Sequence, residues 1–316
     1  MSHLRYGVLS TASIVPRFIG ALRAAGGEVA AIASRSAENA QAKANEWGIP
    51  RSYGSYEALL SAPDIDVVYV ATINSQHYPY TLAALERGKH VICEKPFTLK
   101  ASEARHLFEV ARAHNLFLAE AQKVVFLPVI QDVKALIQGG TLGKFHLADL
   151  TSSYPSVYNT WMHRAEVGGG ALYGSGCYTL HLLTYLFDSP VVQYAGLCTK
   201  GTSTVEEQCV LNLQLENDVL AVSKISTNVT AVNKAFLYGE LGYIEIPDFW
   251  KARHATVHYH TGEVQQISYP CEFELMYELA HFNECIQAGL LTSPIMDESM
   301  TVSALEIVEG LRSHWG

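Results

Sequence analysis

A chain of 316 residues is longer than one hydrophobic core usually serves, because cores stop growing near ~250 to 300 residues, so two domains are expected. With 49% hydrophobic and 17% charged residues, it has the composition of an ordinary globular protein and not of a disordered one. A formal net charge of -9 speaks against nucleic acid or an anionic membrane as the main partner and leaves small molecules as the better expectation.

Residues Met1 to Ala12 lack the cationic and apolar regions of a leader, and no apolar run reaches the ~18 residues a membrane helix needs, so a cytoplasmic protein is expected. The six cysteines (Cys93, Cys177, Cys198, Cys209, Cys271, Cys285) are scattered without a CxxC pair and read as reduced thiols. In chain order, Tyr6–Leu9 reads as an apolar strand, Ile14–Ala25 as a helix stopped by Gly26 and Gly27, and Val29–Ala33 as a second strand. Helices over Ala37–Trp47 and Tyr56–Leu60 precede the β-branched run Val67–Ala71. A helix over Tyr80–Arg87, a strand His90–Cys93, a helix Ser102–His114 and a strand Leu116–Ala119 follow. Repeated β-α-β with apolar strands predicts a doubly wound parallel sheet over residues 1–122.

The second domain, 123–316, has another rhythm. After a helix over Val129–Gln138 and the Gly139-Gly140 break, Cys209–Leu215 and Val219–Ile225 alternate with period two, so Leu211, Leu213 and Leu215 share a face. Asn217-Asp218 predicts a hairpin-like turn between them, and hence an α/β domain with a mostly antiparallel sheet. Leu275, Leu279, Phe282 and Ile286 form one helical stripe, and a last helix runs from about Ser299 to Ser313.

The run Val91-Ile92-Cys93-Glu94-Lys95-Pro96 ends a strand in an acid, a base and a residue of fixed φ, which sets a lysine at the mouth of the parallel sheet. After the first strand, where G-x-G-x-x-G would let backbone N–H groups approach a pyrophosphate, stand Ser10, Thr11, Ala12, Ser13, Ile14 and Val15. Small residues replace both leading glycines, so only the position between strand and helix supports a dinucleotide turn. At the end of the second strand Ser34-Arg35-Ser36 stands where a carboxylate would grip the ribose of NAD. A guanidinium suits the 2'-phosphate of NADP, with a solvated helix-start arginine as the competing role. NADP is therefore preferred, and NAD stays open. Residues Thr72, Asn74 and His77 follow the Val67–Ala71 strand on the same rim as Lys95. They are candidates for ribose or pyrophosphate contact, with a helix cap at Asn74 or Ser75 as the other role.

The small-residue turn, Ser34-Arg35, Ala71-Thr72-Ile73-Asn74-Ser75-Gln76-His77 and Glu94-Lys95-Pro96, in this order, resemble the Gfo/Idh/MocA family of oxidoreductases (glucose-fructose oxidoreductase, inositol dehydrogenase and MocA). Ile137 to Gly143, Gly168-Gly169-Gly170-Ala171-Leu172 and Tyr277-Glu278 through Ser293-Pro294 are similar to family motifs as well. Ala119-Glu120-Ala121 resembles the branch containing dimeric dihydrodiol dehydrogenase. The resemblance implies an N-terminal Rossmann domain holding nicotinamide and a C-terminal domain whose open sheet carries subunit contacts and borders the substrate pocket. A homodimer or higher homo-oligomer is then expected. It puts Lys95 on the family's lysine, against the nicotinamide ribose and the substrate oxygen, with Glu94 steadying it. Partial desolvation beside a cationic ring lowers a lysine's proton affinity toward the working range of an acid or base.

Where the family usually carries an aspartate after the glycine-rich turn, this chain has Gly174, and the aromatic position four residues on is Tyr178, the candidate proton donor. His181 shares a helical face with Tyr178, as pocket lining or as a core histidine. Tyr173 is a further source of a hydroxyl. In Gln122 to Pro128 the branch's tryptophan and arginine are missing, and Lys123 stands in for the arginine as a point charge. Trp161, His163 and Arg164 precede the glycine-rich turn and are candidate substrate contacts. His258 and His260, at i and i+2 on an expected strand, would face the same way, but without a third ligand no metal is expected. Three functions follow. The first is an NAD(P)-dependent oxidoreductase moving hydride to or from a sugar, polyol or related secondary alcohol, with Lys95 and Tyr178 managing the proton. The second is a catalytically attenuated nucleotide-binding regulatory protein, motivated by Gly174 and the altered turn. The third is a glycosidase working through transient oxidation, against which Arg35 speaks.

Overall fold

The computed structural model describes residues 4–155, 160–201 and 203–315. The chain divides into two compact units, Met1–Gln122 with Phe273–Val302, and Lys123–Glu272 with Ser303–Gly316.

In the first unit the strands β1 (Arg5–Leu9), β2 (Glu28–Ala33), β3 (Ser52–Tyr53), β4 (Val67–Val70), β5 (His90–Glu94) and β6 (Leu118–Ala121) alternate with α1 (Val15–Ala24), α2 (Ala37–Trp47), α3 (Tyr56–Leu60), α4 (His77–Glu86) and α5 (Ala101–Ala113). All pair in parallel, in the order β3-β2-β1-β4-β5-β6. The order reverses between β1 and β4, so the carboxyl ends of these strands open the crevice where such sheets bind ligands. The apolar runs of β1, β4 and β5 are buried throughout or nearly so, as strands covered on both faces require.

Two elements depart from expectation. The α4 helix starts at His77 and not at Tyr80, because a 3-10 turn over Asn74–Gln76 leads straight into it. The last strand begins at Leu118 and not at Leu116. Asn115 adopts φ 56° and the Leu116 N–H closes back on the Ala111 carbonyl, which delays extension by two residues and brings Glu120 and Ala121 into the sheet.

The late segment Phe273–Val302 joins this unit through the helix Met276–Gln287 (α8), whose stripe of Leu279, Phe282 and Ile286 is buried. The Phe282 ring lies 5.7 Å from that of Phe117, and the Tyr6 hydroxyl donates to Asn283 at 2.6 Å. A side chain at Gly20 would collide with Phe273. Under α1, Phe18 stacks on Tyr69 with centroids 3.7 Å apart and leans on Tyr6, an aromatic column through the centre of the unit.

The second unit holds α6 (Pro128–Gln138), β7 (Phe145–Ser153), α7 (Cys177–Phe187), β8 (Val191–Thr199), β9 (Gln208–Leu215), β10 (Leu220–Ser226), β11 (Lys234–Gly239), β12 (Gly242–Pro247), β13 (His254–Tyr259) and β14 (Val264–Ser268). The chain continues into α8 (Met276–Gln287) and ends in α9 (Glu298–Trp315). Its eight strands run β14-β13-β12-β11-β7-β10-β9-β8, antiparallel except for β7 against β10. Period two holds as expected: Leu211, Leu213 and Leu215 are buried. Asp218, at φ 69°, turns β9 into β10. The other face bears Leu147, Leu220, Val210 and, at 81% exposure, Leu197. On the same face the Tyr243 and His258 rings stack, and the Tyr238 ring lies tilted beside Tyr243 with centroids 5.9 Å apart. Strand β13 ends at Tyr259, so His260 falls in the following turn and not beside His258 on a strand, while His258 stacks on Tyr243 at 4.4 Å.

Candidate active site

In the first unit the rim is built at the ends of β1, β2, β4 and β5. The turn Ser10–Ile14 contains no glycine, yet Ser10 takes φ 120°, a conformation glycine normally supplies. Two bonds hold it there. Its N–H donates to the Ala33 carbonyl at 3.1 Å, and its hydroxyl accepts the Ala12 N–H at 2.9 Å. Pro16 occupies the first turn of α1, and no side chain caps that helix end, so its leading amides and the positive end of its dipole suit an anion. The first residues therefore fit a dinucleotide phosphate despite the altered motif.

Across the turn, the Asn39 amide donates to both the Thr11 hydroxyl (3.0 Å) and the Ser34 hydroxyl (2.9 Å), bracing the loops after β1 and β2 against each other. The Ser36 hydroxyl accepts the Asn39 N–H and caps α2. The two hydroxyls flanking Arg35 are thus used within the chain, and the exposed guanidinium is the group this loop presents.

At the end of β5, Glu94 accepts the Tyr69 hydroxyl at 2.5 Å and the Lys95 N–H at 3.2 Å, which fixes the carboxylate and the backbone on which Lys95 is mounted. Lys95 itself is half-buried. His77 is 1% exposed. Its Nδ1 lies 2.8 Å from the Pro96 carbonyl and its Nε2 3.1 Å from the Thr72 carbonyl, so the ring ties the loop after β4 to the Glu94-Lys95-Pro96 turn and has no nitrogen to spare for a ribose. Burial lowers its pKa against the pull of the two carbonyls. Asn74 is buried as well. Next to Cys93, on β6, Glu120 is buried and accepts the Thr301 hydroxyl at 2.9 Å. Burial pushes its carboxyl up to about 8. The Thr301 hydroxyl, the Phe97 amide and Lys95 pull it down, and Glu94 pushes it further up.

The second unit presents Tyr178 on α7. Lys123 is 6% exposed, with its ammonium 5.6 Å from the centroid of the Tyr178 ring, a cation–π contact in place of an outward substrate contact. His181 is 2% exposed, deep in the helix packing. Ahead of the glycine-rich turn Trp161 is exposed, the His163 ring lies 3.5 Å from the Thr160 hydroxyl, and Arg164 pairs with Glu166 at 2.7 Å. That turn leads into a π-helical stretch, Leu172–Gly176, a distortion that often marks functional sites. Arg312 holds it, donating to the Gly169 carbonyl (3.0 Å) and to Glu206 (3.2 Å) with its guanidinium over the Tyr173 ring. At Gly174 an added Cβ would overlap the Tyr154 hydroxyl. Sequence reasoning missed Asn39, Tyr154 and Arg312, and it named Glu120 within Ala119-Glu120-Ala121 without giving it a role. Only Glu120 carried a signal, a lone acid in the apolar run Leu118–Ala121.

Residues 4–122 match the model of an oxidoreductase family with an NAD-binding Rossmann fold, and residues 130–245 match the Gfo/Idh/MocA C-terminal domain. The chain belongs to the Gfo/Idh/MocA family. Among Gfo/Idh/MocA relatives, the trans-1,2-dihydrobenzene-1,2-diol dehydrogenase of Xenopus tropicalis is 33% identical over 320 residues, covering 96% of this chain and 96% of that one. A levoglucosan dehydrogenase solved with NADH and levoglucosan superposes with TM-score 0.89 at 17% identity, over 99% of this chain and 97% of that one. A 3-ketoreductase from Actinomadura kijaniata, solved with NADP and TDP-benzene, gives TM-score 0.88 at 24% identity, over 99% and 98%. These two likenesses speak to the Gfo/Idh/MocA fold. Among the described residues no helix is long and apolar enough to cross a membrane, and no group of three or more potential ligands is placed to hold a metal.

Proposed function

We propose that this chain is an NADP-preferring oxidoreductase that moves hydride between the nicotinamide and the carbon of a sugar, polyol or related secondary alcohol. The observation that carries the reading is Lys95, mounted by the Tyr69–Glu94 bond at the carboxyl end of β5, on the same rim as the anion-suited turn at Ser10. The bound dinucleotide supplies the redox chemistry, and the protein's part is orientation and charge. The turn from Ser10 to Ile14 and the amides opening α1 hold the pyrophosphate. Arg35 meets the 2'-phosphate, the charge-assisted pairing for which a guanidinium is suited. Lys95 steadies the negative charge that develops on the substrate oxygen. In the second unit Tyr178 is the proton donor in the reductive direction, and the Lys123 ammonium stabilises negative charge left on its phenol. The open sheet face with Leu147, Leu197, Val210 and Leu220 exposed is taken as the contact between two copies, since apolar side chains gathered on one sheet face suit an interaction surface.

Replacing Lys95 with methionine tests the assignment. Turnover of NADPH with a panel of ketoses, diols and dihydrodiols is expected to fall by at least about a thousandfold, with NADPH affinity by fluorescence titration within a few-fold of the parent. Undiminished turnover would sink the reading, and tight NADPH binding with no turnover in the unmodified protein would put the regulatory alternative in its place.

A further inference from the structure

The π turn ahead of Tyr178 is shaped by a residue that nothing above employs. Tyr154 follows β7 directly, and its backbone is pinned on both sides. Its own N–H donates to the Ser226 carbonyl at 3.0 Å, and the preceding Ser153 exchanges two bonds with the Asn233 side chain. From that fixed base the ring reaches the turn at 171–176, where its hydroxyl donates to the Ala171 carbonyl at 3.2 Å. The hydroxyl also bonds with Ser175, whose Oγ in turn accepts from Ser152 at 3.0 Å. An ideal Cβ on Gly174 would overlap the Tyr154 hydroxyl and stand 3.1 Å from its Cζ, so phenol and side chain cannot share this space. Residue 174 lies four positions before Tyr178, one helical turn up the same face. The hydroxyl of Tyr154 therefore fills the place a side chain on that face would take.

We propose that Tyr154 is a positioning residue for Tyr178, with its phenol keyed into the space left by Gly174 and clamping the π turn from which α7 departs. The proposal rests on the reading of Tyr178 as proton donor. Burial raises the Tyr154 pKa, so the hydroxyl stays protonated and able to donate to Ala171 across the working range. Two independent changes break the one contact. Y154F removes the hydroxyl and its bonds. G174A leaves them chemically intact but drives the ring away.

The test is a double-mutant cycle on NADPH-dependent turnover, with thermal melting of every variant and Y178F as control. Misplacement of a reacting group by about 1 Å costs on the order of a hundredfold, so Y154F and G174A are each expected to lower kcat by about ten- to a hundredfold. The KM for NADPH should stay within about twofold, because the dinucleotide residues proposed here belong to the other unit. The double variant Y154F/G174A should be no slower than the slower single variant, because the second change acts on a contact already lost. A simple packing defect would lower the melting temperature without splitting kcat from KM in this way. Full kcat in Y154F, losses that multiply in the double variant, or a Y178F variant that keeps its turnover while Y154F loses it would each overturn the proposal. Inactivity of the unmodified protein would instead remove the functional reading on which the proposal rests.

Discussion

Glu120→Gln isolates the cost of a carboxyl held away from water. In the folded chain this group titrates at about 8 against an ordinary 4.5, with burial as the largest cause. Below about 4.5 it is protonated both folded and unfolded, and the ionisation contributes nothing. Between 4.5 and about 8 the unfolded chain releases a proton that the folded chain keeps, so stability falls as pH rises through this window and levels off above it. At 1.36 kcal/mol per pKa unit, the full penalty is roughly 5 kcal/mol. Glutamine keeps the shape and the acceptor for the Thr301 hydroxyl but cannot ionise. Urea unfolding of the parent and the variant at several pH values between about 5 and 8.5 should therefore show the variant gaining on the parent as pH rises, by several kcal/mol across the window. A stability difference that stays constant with pH would refute the account of Glu120 as a buried neutral acid.

Other expectations follow from single contacts. Arg35→Ala should weaken NADPH by about ten- to a hundredfold and leave NADH nearly unchanged, the loss of one charge-assisted pairing. Equal loss for both would show that Arg35 does not read the 2'-phosphate. Arg312→Leu strips the cation from the buried Glu206 and should cost about 3 kcal/mol in thermal or chemical unfolding. Adding Glu206→Gln should restore part of that loss, and failure to do so would mean the pair is not the source. At Ser10, alanine keeps the positive φ and loses the bond to the Ala12 amide, whereas glycine loses the bond but relieves the backbone. The glycine variant should be the more stable of the two by about 1 kcal/mol in urea unfolding, and equal stabilities would contradict the strain.

Period and punctuation made most of the architecture legible. The apolar runs at Val67 and Val91 and the alternation around Leu211 depend on neighbours close in sequence, which is why strands β4, β5 and β9 lie where the pattern put them. The delayed start of β6 was not legible, because it turns on Asn115 entering the left-handed region, a choice made by the packing that follows it. The return of Phe273–Val302 to the first unit rests on contacts between residues more than 150 positions apart, such as Tyr6 with Asn283, which no local pattern encodes. The placement of Lys95 and of the Ser10 turn directly after strands β5 and β1 was readable because topology sets loops at strand ends. The inward turn of His77 and the cation of Lys123 beside Tyr178 are settled by burial and ring geometry, to which residue type is blind.

That return has a consequence for synthesis. When residue 122 has left the ribosome, the six strands are all present, but the Asn283 acceptor of the Tyr6 hydroxyl and the Phe282 ring beside Phe117 arrive only when α8 has been made. Elongation at roughly 5–20 residues per second puts the end of α8 about 8 to 33 seconds later. Through that interval the nascent sheet shows water an aromatic surface that α8, more than 150 residues later in the chain, will cover.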